Sequence, residues 1–101
     1  MENFKEKIEA IDISNVTQND VSLIENVIQL LDIGKIRVAE PVKNEWVVNE
    51  WVKTAILHYF SIKNLEIIKS GELEYYDKIE PKKNYEELKI RVVPPGVVRY
   101  G

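Results

Sequence analysis

The chain has 101 residues, of which 45% are hydrophobic and 31% charged, a composition typical of one small folded domain rather than a disordered segment. It contains no cysteine, which excludes disulfides and thiolate metal sites, and its net charge of −3 argues against a nucleic-acid partner. The amino terminus lacks the apolar run of a signal peptide, and no apolar stretch approaches the ~20 residues needed to cross a bilayer. We therefore expect a soluble cytoplasmic protein without a membrane partner.

Two helices are predicted in the first third of the chain. Apolar residues recur every three or four positions from Phe4, which indicates a short helix through about residue 10. Thr17 and Asp20 have the spacing of a capping box at the start of a second helix, and Gly34 lies where a left-handed residue can end it. The buried stripe of the second helix is predicted to comprise Val21, Ile24, Val27, Ile28 and Leu31.

A β-hairpin and a third helix follow. The segments 35–40 and 45–48 have strand composition and are separated by a turn at 41–44 that contains proline and asparagine. Asn49 is placed to cap the third helix, because its side-chain oxygen can accept a hydrogen bond from a first-turn amide. The buried face of this helix is predicted to comprise Val52, Ala55, Ile56, Tyr59 and Phe60, with Trp51 alongside.

A second hairpin is predicted from segments 65–68 and 73–76, with Gly71 in the turn. The polar segment 80–83 indicates a loop, and 84–88 has the length of one helical turn.

Residues 90–93 read as extended, and the prolines that follow favour that conformation because they fix φ and remove amides. The sequence thus predicts an α+β domain of about three helices with short β-hairpins at residues 1–90, followed by an extended connector at residues 91–101.

No self-contained active site is evident in the sequence. His58 is the one histidine, and a helical histidine without a paired acid or nucleophile is more often structural than catalytic. No metal-ligand spacing and no glycine-rich phosphate loop occur. Trp46 and Trp51 could stack on a ligand, although packing is the commoner role of tryptophan. The cluster 75–78, which reads Tyr-Tyr-Asp-Lys, is either the surface end of a strand or part of a binding site.

Arg91 stands out because it lies in an apolar, proline-braced strip. An arginine held on a stiff segment is pre-organised to bind a carboxylate through two parallel hydrogen bonds. The alternative is an arginine at a strand edge that pairs with a nearby glutamate, and the spacing alone favours that alternative.

Several short segments of the chain carry a family resemblance through their order and their residues. They are Ile36–Glu40, Trp46–Lys53, Ala55–Leu57, Phe60, Tyr75–Lys78, Arg91–Pro95, Val98, Arg99 and Gly101. Together they resemble the N-terminal domain of the tetrahydrodipicolinate N-succinyltransferase family, from about Val27 to Gly101. The chain departs from the family pattern at Thr54, Ser61 and Glu74, and its connection from residue 78 to residue 91 is shorter than usual.

The resemblance implies an acyltransferase of lysine and diaminopimelate biosynthesis, trimeric when full length, built around a left-handed parallel β-helix. Such enzymes transfer the succinyl group of succinyl-CoA, their co-substrate, to the amino group of the ring-opened tetrahydrodipicolinate. In the family, the arginine that matches Arg91 binds a substrate carboxylate. The catalytic acids and the coenzyme A groove belong to the β-helix, which is absent from residues 1–101.

These implications give specific expectations for the chain. It binds no cofactor or metal, contains no catalytic residue, is inactive alone, and is a monomer or weak oligomer by itself. On this interpretation it is a truncated enzyme that ends where the β-helix would begin. The alternative is a stand-alone, non-catalytic protein that binds a ligand or a partner.

Overall fold

The computed structural model describes residues 3–101, except for the side chain of one residue at the end of a strand. A single 3₁₀ turn at Ile13–Asn15 separates the first two helices. The elements in chain order are α1 (Phe4–Glu9), α2 (Gln18–Asp32), β1 (Ala39–Val42), β2 (Glu45–Val48), α3 (Glu50–Ile62), β3 (Glu66–Ser70), β4 (Leu73–Asp77) and α4 (Tyr85–Leu88). The fold is therefore α+β, as predicted, and the described residues include no β-helix.

Helix α2 begins and ends at the predicted signals. The Thr17 side chain accepts a hydrogen bond from the Asp20 amide at 3.2 Å, and the Asp20 carboxylate accepts one from the Thr17 amide at 3.1 Å. At the other end Gly34 adopts φ +81°, and its amide donates to the Leu31 carbonyl at 3.1 Å. The Lys35 amide donates to the Leu30 carbonyl at 2.9 Å, which completes a Schellman motif.

The core lies among the first three helices. The five largest side chains that are essentially inaccessible to water are Ile8 of α1, Ile24, Val27 and Ile28 of α2, and Val52 of α3. Burying each such side chain contributes about 1.5–3 kcal/mol of transfer free energy. The rest of the buried cluster comprises Ile36, Ala55, Tyr59 and Ile79. The three helices therefore supply most of the hydrophobic stabilisation.

Strands β1 and β2 form an antiparallel hairpin with a tighter turn than predicted. The turn consists of Lys43 and Asn44 alone, whose φ values of 49° and 67° suit a type I′ turn. Pro41, assigned to the turn from the sequence, instead lies in β1 opposite Trp46. A two-stranded ribbon has only edge strands, where a proline without an amide is tolerated.

The predicted cap of α3 is wrong in its chemistry. Asn49 occupies the cap position, but its side chain accepts no hydrogen bond from the first turn of the helix. Its amide nitrogen instead donates to the Arg37 carbonyl at 2.7 Å and to Glu40 Oε1 at 3.3 Å. The side chain thus joins the start of α3 to Arg37, which precedes β1, and to Glu40 within β1. Local sequence does not reveal this tertiary role.

Strands β3 and β4 pair antiparallel, with Gly71 at φ +61° in the predicted turn. Apolar side chains project from this hairpin into solvent, including Ile67, Leu73 and Tyr76, which are 62%, 61% and 68% exposed. The radius of gyration is 15.3 Å, whereas about 13 Å is expected for a compact domain of this length. The domain is consequently flattened and open.

None of the helices in the described part of the chain combines the length and the apolar composition needed to span a bilayer.

Candidate functional site

A groove lies between the second hairpin and the last residues of the chain. One wall carries Tyr75 and Tyr76 of β4, the other consists of Gly96–Arg99, and Pro81 and Tyr85 also line the groove. Its volume is about 420 Å³, within the range of roughly 300–1,000 Å³ found for small-molecule sites. The groove therefore has the size of a ligand site and an aromatic lining.

Backbone hydrogen bonds hold the second wall in place. The Lys82 amide donates to the Val98 carbonyl at 2.8 Å, and the Tyr100 amide donates to the Glu80 carbonyl at 2.9 Å. Pro81 and Arg99 form an isolated antiparallel bridge between these two bonds. The carboxyl-terminal residues thus lie against segment 80–82. The predicted boundary between a domain at residues 1–90 and a connector at residues 91–101 stays a prediction.

Arg99 joins the two walls of the groove. Its guanidinium donates to the Asp77 carboxylate at 2.5 Å, and its central carbon lies 5.8 Å from the centre of the Phe60 ring. The Lys78 amide first, and the Arg99 guanidinium second, lower the pKa of Asp77 by hydrogen bonding to the ionised form. Asp77 is therefore a carboxylate at neutral pH, which leaves Arg99 already paired.

Arg91, the substrate-binding residue expected from the family resemblance, lies outside the groove lining. Arg91 is exposed, and no carboxylate of residues 3–101 forms a salt bridge with it. Its segment follows α4, where the Ile90 amide donates to the Tyr85 carbonyl at 2.9 Å. The local ion pair considered as an alternative is thus not formed in the described chain, and the binding role stays a prediction.

The other residues considered from sequence are dispersed. His58 is half-buried on α3, and Trp51 is half-buried against the core. Trp46 is 70% exposed, with the Arg37 guanidinium 5.9 Å from its ring, so it does not pack in the core of the described residues, and packing on another domain stays a prediction. No group of three or more side chains that could hold a metal ion together occurs among the described residues. Of the tyrosine cluster, Tyr75 and Tyr76 reach the groove.

A largely buried ion pair between Lys82 and Asp32 was not predicted from the sequence. Lys82 lies in the segment predicted to be a polar loop, yet it is only 8% exposed and its ammonium lies 2.6 Å from the Asp32 carboxylate. The two partners are fifty residues apart. Neither the composition nor the periodicity around Lys82 distinguishes it from its exposed neighbour Lys83.

Comparison with known proteins places this sequence in one family. The family model described as tetrahydrodipicolinate N-succinyltransferase N-terminal matches residues 2–62. Three similar curated proteins all carry the name 2,3,4,5-tetrahydropyridine-2,6-dicarboxylate N-succinyltransferase. The protein of Aeromonas salmonicida (strain A449) is 41% identical over 102 residues, covering 95% of this chain and 37% of the relative.

The protein of Buchnera aphidicola subsp. Schizaphis graminum is 38% identical over 107 residues, and that of Nitrosomonas europaea is 39% identical over 107 residues. Both matches cover 100% of this chain and 39% of the relative. The chain thus spans less than two-fifths of the length of these relatives.

Proposed function

This chain belongs to the N-terminal domain family of tetrahydrodipicolinate N-succinyltransferases, and from that premise we propose that it supplies the substrate-side and packing domain of such an enzyme. The catalysed reaction would be the transfer of a succinyl group from succinyl-CoA to an amino group of the dicarboxylic substrate. The substrate amine would attack the thioester carbonyl, a carboxylate base would take its proton, and the coenzyme A thiolate would leave.

The observation that carries the substrate-side role is the state of Arg91. An exposed guanidinium that forms no salt bridge within residues 3–101 is available to a ligand carboxylate, because no internal pair must be broken first. Its planar fork matches a carboxylate through two parallel hydrogen bonds. The neighbouring Arg99 is a weaker candidate because Asp77 already occupies it.

The packing role is supported by the first hairpin. Cross-strand pairs lie on the same face of a hairpin, so Ala39 and Val48 share a face with Pro41 and Trp46. Trp46 is 70% and Val48 50% exposed, which leaves an apolar face available to another domain or subunit. In a full-length homotrimer this face would pack on the β-helix part, whereas the chain alone would be monomeric or weakly associated, and light scattering across a concentration series tests that.

The chain alone is proposed to be inactive. This is supported by His58, the one histidine, which forms no salt bridge within the described residues and so has no acid there to orient it as a general base. Release of free thiol from succinyl-CoA measures the activity. Saturable, substrate-dependent turnover by the 101-residue chain would overturn this part of the proposal.

A chimera tests the role of Arg91. This chain replaces the matching amino-terminal part of the Aeromonas salmonicida relative, and the chimera is assayed with and without Arg91→Met. We expect the parent chimera to be active and the variant to lose about a hundredfold in kcat/KM, mainly through KM for the dicarboxylic substrate. Lys5→Met, which removes one exposed cation from α1, is the matched control. Equal activity of the two variants would exclude Arg91 as the carboxylate ligand.

A non-catalytic binding protein is the second candidate, favoured by the groove that this chain forms by itself. An inactive chimera, combined with saturable binding of a dicarboxylic amino acid to the isolated chain, would favour this candidate.

A further inference from the structure

Three residues from distant parts of the chain meet at the end of α2, and we refer to them as the Asp32–Lys82–Gly101 cluster. The Lys82 ammonium donates to Asp32 Oδ1 at 2.6 Å, to the Asp32 carbonyl at 2.8 Å and to the Gly101 backbone oxygen at 3.2 Å. Asp32 Oδ1 also accepts the Gly101 amide at 3.0 Å. The cluster thus joins α2, the segment after β4 and the last residue of the chain.

Because Lys82 is buried, its ammonium group needs hydrogen-bond acceptors from the protein. An ammonium group carries three donors, and each unmet donor in a dry site costs free energy. All three donors of Lys82 have an acceptor, and the Asp32 side chain is only 15% exposed. A buried pair of this kind tolerates the loss of one partner poorly, because the remaining charge is left uncompensated.

The cluster also completes the carboxyl end of α2. The last four carbonyls of a helix need partners from outside the regular hydrogen-bonding pattern. The carbonyls of Gln29, Leu30 and Leu31 receive the amides of the residues that follow the helix. The Asp32 carbonyl receives the Lys82 ammonium, a cation placed where the helix dipole favours positive charge. Lys82 therefore acts as a carboxyl-terminal cap from fifty residues away.

The same contacts hold the second wall of the groove. Gly101 has φ +109°, a conformation that favours glycine, and its Cα faces α2, where an added Cβ would lie 3.6 Å from Ile28 and 3.9 Å from Leu31. The Tyr100 ring lies 6.5 Å from the ring of Tyr59 in the core. Residues 100 and 101 are thus seated on the helices, directly after Arg99, which bridges to Asp77.

We propose that Lys82 and Asp32 are positioning residues that latch residues 98–101 onto the end of α2 and thereby hold the groove in shape. The latch transmits its effect through Gly101 and Tyr100 to Arg99. This inference concerns the groove itself and does not depend on the proposed enzymatic role of the chain.

Amide hydrogen exchange followed by NMR tests the latch, with Lys82→Met as the variant. We expect the Tyr100 and Gly101 amides to exchange on the order of tenfold to a hundredfold faster, because a hydrogen-bonded charged group is removed, while amides of α2 and α3 stay protected. Lys83→Met is the matched control, since it removes the exposed neighbouring ammonium, and we expect no change. Unchanged exchange in Lys82→Met, or equal acceleration in both variants, would overturn the proposal.

A second measurement separates positioning from general destabilisation. If the latch orients Arg99, we expect the pKa of Asp77 to rise in Lys82→Met and in Arg99→Met alike, and to stay unchanged in Lys83→Met. A pKa of Asp77 that does not respond to Lys82→Met would refute the transmission to Arg99. Should Lys82→Met unfold, the double variant Asp32→Leu/Lys82→Met removes both charges together and is measured in its place. Protection of Tyr100 and Gly101 in a folded double variant would refute the latch.

Discussion

The helical and the hairpin parts of this domain differ in how they are held together. Helices α1, α2 and α3 pack on one another and contain most of the buried side chains. Each hairpin pairs mainly with itself, and apolar residues such as Trp46 and Ile67 are more than 60% exposed. A two-stranded ribbon is at best marginally stable in water unless it packs on something else. Stability is therefore concentrated in the helices, whereas the hairpins contribute exposed apolar surface.

We expect the largest difference between the two regions when isoleucine is replaced by alanine and the loss in the free energy of unfolding is compared. Ile24→Ala opens a cavity in α2 and should lower the free energy of unfolding by about 2–5 kcal/mol. Ile67→Ala removes the same atoms from a side chain that is 62% exposed, and should change it by less than about 0.5 kcal/mol. Urea unfolding followed by circular dichroism measures both. Similar losses in the two variants would mean that the hairpin belongs to the cooperative core.

Glycines with positive φ provide a second contrast between the helices and the hairpins. A Cβ would meet open space at both Gly34 and Gly71, so Gly→Ala adds mainly backbone strain of about 1–2 kcal/mol at either position. Gly34→Ala should lower global stability by that amount, since α2 must end there. Gly71→Ala should leave the unfolding midpoint nearly unchanged and accelerate amide exchange in β3 and β4 alone. A global loss in Gly71→Ala would contradict the separation of the two regions.

The smallest effect concerns the ion pair between the second hairpin and the carboxyl-terminal segment. The pKa of Asp77 is lowered from its usual 3.8 in the folded chain, so its carboxylate stabilises the fold above that pH. The contribution disappears as the pH falls through the folded pKa. Asp77→Asn should therefore be less sensitive to acid below about pH 4 than the parent chain. Thermal unfolding between pH 3 and pH 6 provides the measurement, and identical profiles would contradict a folded-state role of Asp77.

Arg99→Met refines the same test by NMR titration of Asp77. The Lys78 amide is the larger cause of the lowered pKa, so we expect the value to rise in this variant but to stay below 3.8. A complete return to 3.8 would assign the whole shift to Arg99.

The helices were predictable from sequence because their signals are local. The capping box at Thr17 and Asp20 and the glycine at Gly34 lie within one continuous segment, and the structure confirms both signals. Of the predicted stripe, Ile24, Val27 and Ile28 are buried and Leu31 packs against the core, whereas Val21 lies outside the core cluster, which Leu23 and Leu30 contact instead. The second hairpin was predictable for the same reason, through Gly71. The family, too, was identified from short segments in a fixed order, and the comparisons confirm it.

The contacts that the sequence did not predict join residues that are distant along the chain. Asn49 is a residue type that favours helix caps, but its side-chain nitrogen donates hydrogen bonds to residues nine and twelve positions earlier. Lys82 reads as a surface lysine because nothing near it indicates the Asp32 carboxylate fifty residues away. The groove likewise depends on how residues 96–99 fold back against the second hairpin. Arg91 as a substrate ligand rests on family resemblance and awaits the chimera.

Asn49 also shows a conflict between local and tertiary preferences. An aspartate there could cap α3 equally well by local criteria, yet it has no hydrogen to donate to the Arg37 carbonyl and would repel Glu40. The asparagine leaves its helix-capping oxygen unused by α3 and uses its nitrogen to fix the angle at which the first hairpin leaves the helices. Asn49 therefore sets the orientation of the first hairpin relative to the helices. The substitution Asn49→Asp would improve the amino-terminal cap of α3 but leave the orientation of the hairpin less well defined.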